Sequence, residues 1–75
     1  MANYPKPQNL ILPRTRIELS EEDRIIVTNR RLGNVIVMTA TELTNIVDYM
    51  TNQKEVKEIL EWLVKYHLYM ESDAE

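Results

Sequence analysis

The chain predicts an α+β domain, a small antiparallel sheet of two or three strands followed by two amphipathic helices. Three features carry that prediction. Two runs rich in β-branched residues, Ile25-Ile26-Val27-Thr28 and Val35-Ile36-Val37-Met38, flank a polar segment that holds the only glycine, Gly33. Thr39-Ala40-Thr41-Glu42 then has the form of a capping box, in which the threonine side chain accepts from the backbone three residues on and the glutamate reaches back. Beyond it, apolar residues recur at helical spacing in two stripes that are out of phase with one another.

Residues 1–13 hold all three prolines, Pro5, Pro7 and Pro13, around Leu10-Ile11-Leu12. Each proline removes a donor and biases its predecessor away from helix, so an extended, flexible arm is expected, one whose first eight residues the fold can lose. The single domain then spans 14–70. Thr15 to Leu19 alternates, with Ile17 and Leu19 on one side and Arg16 and Glu18 on the other, which predicts a short strand. Ser20-Glu21-Glu22-Asp23 turns it back against the Ile25 run. At the next turn Gly33 is expected at positive φ, a conformation that glycine adopts without steric cost. That hairpin presents Arg30 and Arg31 at its tip.

Leu43, Ile46, Val47 and Met50 share one face of the first helix. Val56 falls roughly 240° out of phase with Met50 at about 100° per residue, which places a boundary at 51–53. Asn52 with Glu55 three residues later supplies a second cap signature. The second helix should run from about Gln53 to Tyr69, with Val56, Ile59, Leu60, Leu63, Tyr66 and Met70 on its buried face. Lys54, Lys57, Glu58, Glu61 and Lys65 lie opposite, and Glu61 can pair with Lys65 at i, i+4. The acidic tail, 71–75, is expected to fray.

A domain of 75 residues has a small core, burying only about 60% of the surface its unfolded chain exposes. Without cysteine there is neither a disulfide framework nor a thiolate metal cluster. No apolar stretch approaches the roughly 18 residues of a membrane span, and the first residues lack an exported signal. The expected setting is a reducing cytoplasm. Net charge is −3 but uneven: residues 1–37 carry six basic side chains against four acidic ones, and residues 38–75 carry three against eight. Every arginine lies in the first half, where planar guanidinium forks suit carboxylate, phosphate or backbone recognition.

An enzyme is hard to build from these residues. His67 is the only histidine and sits at the edge of an apolar stripe, where packing is its expected role. The acidic residues of the second helix do not follow a calcium-loop pattern and mix with lysines as a solvated face does. No cofactor and no small-molecule substrate are expected. The sharper signal is the hairpin tip: Arg30 and Arg31 read as a basic wing for an acidic partner or a nucleic-acid backbone, with a solubilising turn as the plain alternative. Arg14 and Arg16 extend that face. Side by side, the two tip arginines offer the fold no evident stabilisation. The acidic second half opposes autonomous DNA binding through phosphate repulsion, so a protein partner is expected. Trp62, Tyr66 and Tyr69, at i, i+4 and i+7, form an aromatic line that reads either as an interface flank or as cover for the sheet or first helix. Leu68 points toward the charged face and is expected to be exposed.

Tyr4-Pro5-Lys6-Pro7 and Arg30-Arg31-Leu32-Gly33, together with the small cysteine-free frame and acidic tail, resemble the host-takeover proteins of bacteriophages. Among these the chain resembles the small phage transcription regulators that bind bacterial RNA polymerase. That resemblance implies a non-enzymatic protein, expected as a monomer, that inhibits initiation by loosening the σ factor's hold on the core enzyme and also acts in antitermination. Two other classes fit the residues: an acidic mimic of nucleic acid that inhibits a host nuclease or defence complex, and a small structural or assembly subunit.

Overall fold

Four strands form the sheet, one more than the largest number the sequence predicts. They are β1 (Leu10–Ile11), β2 (Thr15–Leu19), β3 (Ile25–Asn29) and β4 (Val35–Met38), in the order β1-β2-β3-β4 with every neighbouring pair antiparallel. The computed structural model describes residues 4–50 and 53–73. Two helices follow the sheet, α1 (Ala40–Met50) and α2 (Gln53–Asp73).

The extra strand comes from the segment expected to be a flexible arm. Leu10 pairs with Ile17 and Ile11 with Arg16, while Leu12 and Pro7 are buried. Proline spacing marks where helix is forbidden, but an extended segment free of helical pull is equally ready to join a sheet edge. The Leu12 N–H donates to the Thr15 carbonyl at 2.8 Å and closes the turn into β2.

Alternation along β2 and β3 sorts the side chains. Thr15, Ile17, Ile25 and Val27 are buried on one face, and the register sets Ile17 beside Val27 and Ile25 beside Met38. On this face the helices supply Leu43 and Val47 from α1 and Val56, Ile59, Trp62, Leu63 and Tyr66 from α2, all in one cluster. The predicted stripes hold with two corrections. Leu60 is exposed, because the buried stripe is centred on Ile59, Leu63 and Tyr66 and widens on the Trp62 side, about 200° around the helix from Leu60, and Leu68 is half-buried rather than exposed. The side chain of Met50 and all of Asn52 lie outside the described residues. α2 continues as far as Asp73 instead of stopping near Tyr69, and the Tyr4 N–H donates to Ser72 Oγ at 3.2 Å across its last turn.

Local chemistry sets the boundaries. The Thr39 N–H donates to Glu42 Oε1 at 3.0 Å and the Glu42 N–H to Thr39 Oγ1 at 3.2 Å, which completes the predicted capping box at the start of α1. The backbone N–H of Thr39, then its hydroxyl and nearby Arg24, hold the Glu42 carboxyl below its ordinary value. In the β2–β3 turn Asp23 adopts φ 60°, a left-handed conformation that the sequence does not announce and that aspartate tolerates better than most residues. Ser20 Oγ accepts the N–H groups of Glu22 at 3.3 Å and Arg24 at 3.0 Å across the same turn.

Gly33 has φ 80°, as expected. Nothing lies within 4 Å of a Cβ built there, so a substitution meets backbone strain and no collision. Gly33→Val should therefore lower stability by about 1–2 kcal/mol, the cost of a left-handed L-residue, with Gly33→Asn losing less. Thermal melts of the pair test this, and equal melting temperatures for all three proteins would contradict it.

Candidate interaction site

The hairpin tip and the β1–β2 turn form one basic corner, and within it the four arginines have different tasks. Arg30 is turned inward: its Nη1 donates to the Leu12 carbonyl at 2.7 Å, and its backbone N–H donates to the Arg14 carbonyl at 3.0 Å. The tip is thereby tied to the turn that precedes β2. This corrects the expectation that the tip arginines add nothing to the fold, because sequence spacing cannot show that the β1–β2 turn lies within reach of the hairpin. Arg16 pairs with Glu18, Nε to Oε1, at 3.2 Å on the outer face of the sheet. Such an exposed pair contributes little to stability but occupies the guanidinium.

Arg14 and Arg31 are the arginines of this corner whose heads extend into solvent. Arg14 uses its backbone N–H to donate to Glu55 Oε1 at 3.0 Å, and its side chain is exposed. In Arg31 the backbone N–H donates to Asn29 Oδ1 at 3.0 Å, as the Leu32 N–H does at 3.1 Å, and among the described residues its guanidinium has no protein partner. Leu32 beside it is 73% exposed. The tip is thus a rigid turn, held by the Asn29 side chain and by Gly33 N–H donating to the Asn29 carbonyl at 2.7 Å, that offers one cation and one apolar side chain to solvent.

The aromatic line faces the opposite way. Trp62 and Tyr66 are core residues, stacked with ring centroids 5.8 Å apart and planes 13° from parallel. Trp62 Nε1 donates to the Gln8 carbonyl at 2.7 Å and Tyr66 Oη to the Asp23 carbonyl at 3.3 Å. Tyr69 is half-buried. Of the two readings open to this line, covering the fold is the one these contacts describe for Trp62 and Tyr66: the polar tip of each is spent on a backbone carbonyl of another segment, and both rings are withdrawn from solvent. His67 is exposed and meets Tyr66 edge-on at 5.5 Å, a packing contact.

A cleft of about 660 Å³ separates the N-terminal segment from α2, with Pro5, Lys6, Glu58, Glu61, Lys65 and Trp62 among its walls. Its charged walls carry both signs, Lys6 and Lys65 with Glu58 and Glu61. Among the described residues no cluster of three or more His, Asp or Glu side chains could hold a metal ion, and no helix is long and apolar enough to cross a membrane.

Sequence reasoning missed one surface altogether. Val35, Ile36 and Val37 of β4 are 59%, 55% and 58% exposed, an apolar run at the sheet edge that the sequence reads only as one strand of a hairpin. The signal was present in the absence of any polar residue at alternate positions, but its placement at an edge depends on the strand order. Comparison with protein-family models, with curated proteins and with solved structures finds no match to this chain.

Proposed function

We propose that this chain is a non-enzymatic protein that acts by occupying a surface of host bacterial RNA polymerase, inhibiting initiation by interfering with the σ factor's hold on the core enzyme, with antitermination as a further effect. The family rests on the resemblance carried by Tyr4-Pro5-Lys6-Pro7 and Arg30-Arg31-Leu32-Gly33. The observation that supports a protein-binding role is the tip, where Arg31 and Leu32 stand exposed on a turn fixed by Asn29 and Gly33. A pre-organised cation beside an apolar side chain loses little conformational entropy on docking and can form charge-assisted bonds to an acidic surface.

Arg31→Ala should leave the melting temperature nearly unchanged and weaken polymerase binding by about tenfold, the equivalent of one charge-assisted contact. Arg30→Ala should behave differently, lowering stability by about 1 kcal/mol because the Leu12 carbonyl loses its donor. Rising ionic strength should slow association of the wild type more than of Arg31→Ala. Binding of purified RNA polymerase at low and high salt measures the affinities and salt slopes, and thermal melts measure the two stabilities. Equal affinities and salt slopes would remove the tip from the interface, and no binding by the wild type would overturn the reading itself.

A further inference from the structure

The free edge of β4 is complementary to itself. The Asn29 N–H donates to the Asn34 carbonyl at 2.8 Å, and the β3–β4 register sets Val27 opposite Ile36 and Thr28 opposite Val35. Hydrogen-bonded and non-bonded pairs alternate along an antiparallel ladder, so Asn34, Ile36 and Met38 direct their backbone groups toward β3. Val35 and Val37 direct theirs away from the sheet. Strands at such edges are normally guarded by lysine, proline or a bulge, and β4 has none of these.

We propose that two copies of this chain associate through β4, antiparallel about a two-fold axis at Ile36, to form one continuous eight-stranded sheet. With Ile36 opposite its own counterpart, Val35 of each copy faces Val37 of the other. Both are the residues with outward backbone groups, so this register forms two hydrogen-bonded pairs and four N–H···O bonds. The side chains agree with it. Val35 and Val37 meet on the outer face as cross-strand β-branched pairs, and the two Ile36 side chains meet on the helix-covered face, just beyond the helices that leave them exposed.

The opposite edge explains why assembly stops at two. β1 is only two residues long and lies between Pro7 and Pro13, so it offers no ladder for continued growth. The interface is small, and association is weak, with half-dimerisation on the order of 100 μM. It is independent of polymerase binding, which uses the tip and is measured far below that concentration.

Sedimentation across a dilution series, with amide exchange followed on the same samples, tests the dimer. The expected result is a monomer–dimer equilibrium in which the Val35 and Val37 amides gain protection with concentration, while the Ile36 amide, already bonded to β3, does not change. Ile36→Lys places two like charges on the axis at a side chain that is exposed in the monomer. It should weaken association at least about tenfold and leave the melting temperature of dilute protein unchanged. Val37→Lys should act likewise from the outer face, which keeps the test valid should either variant fold poorly. A monomer at concentrations well above 100 μM, open-ended aggregates, or a dimer indifferent to both substitutions would each overturn the proposal.

Discussion

Trp62→Ala should be the most damaging single substitution in this chain, with a loss of about 3–5 kcal/mol. The indole is 4% exposed, stacks on Tyr66, and donates Nε1–H to the Gln8 carbonyl at 2.7 Å, so truncation removes core volume and releases the N-terminal segment together. Small domains have only about 5–15 kcal/mol in hand, and this one has a thin core, so the variant should be partly unfolded at room temperature. Trp62→Phe separates the two contributions: it keeps a ring against Tyr66, loses the bond to Gln8, and should cost about 1–2 kcal/mol. Urea unfolding followed by circular dichroism measures both. Removal of residues 1–8 should be destabilising for the same reason, contrary to what proline spacing suggests. A Trp62→Ala midpoint close to that of the wild type would mean that the segment and the ring are not coupled.

What the sequence made legible is whatever its short-range chemistry determines. The capping box at Thr39 and Glu42, the positive φ of Gly33 and the phase break between the helices each depend on residues within a few positions of one another, and each is found as read. What it hid depends on contacts between distant segments. Nothing local tells Leu10–Ile11 that a strand edge is available, or tells Arg30 that the Leu12 carbonyl lies within reach of its guanidinium. The two readings of the Trp62, Tyr66 and Tyr69 line could not be separated from spacing alone, because an aromatic flank has the same periodicity whether a partner or the chain's own N-terminal segment covers it. The β4 run shows the converse: an apolar strand looks like core in a sequence, and only strand order makes it an edge.

The same long-range logic bears on the interaction site. Arg30 and Arg31 are neighbours with equal charge, yet one fastens the tip to the β1–β2 turn and the other is left to solvent. A double substitution would confuse the loss of a fold contact with the loss of a partner contact, so the arginines have to be changed singly. The turn that Arg30 reaches is also held from its other side, by Glu55 at the start of α2.

Glu55 is 2% exposed, and its Oε1 accepts the Arg14 N–H at 3.0 Å, joining the first turn of α2 to the β1–β2 turn. In sequence this residue looks like half of a capping signature, and its burial came as a structural finding. Glu55→Ala should cost about 1–3 kcal/mol, because the Arg14 N–H is left without its acceptor and the side-chain volume is lost. Glu55→Gln retains an oxygen that can accept the same bond at nearly the same volume, and should cost much less. The difference has a local signature as well as a global one. In Glu55→Ala the Arg14 amide should exchange faster than the amides of β3, whereas in Glu55→Gln it should stay protected. Loosening of this turn should also weaken the hold of Arg30 on the tip, so the two substitutions Glu55→Ala and Arg30→Ala should be less than additive in a double-mutant cycle. Strict additivity would show that the turn is fixed by its own hydrogen bond from Leu12 to Thr15, with the helix and the hairpin merely resting against it.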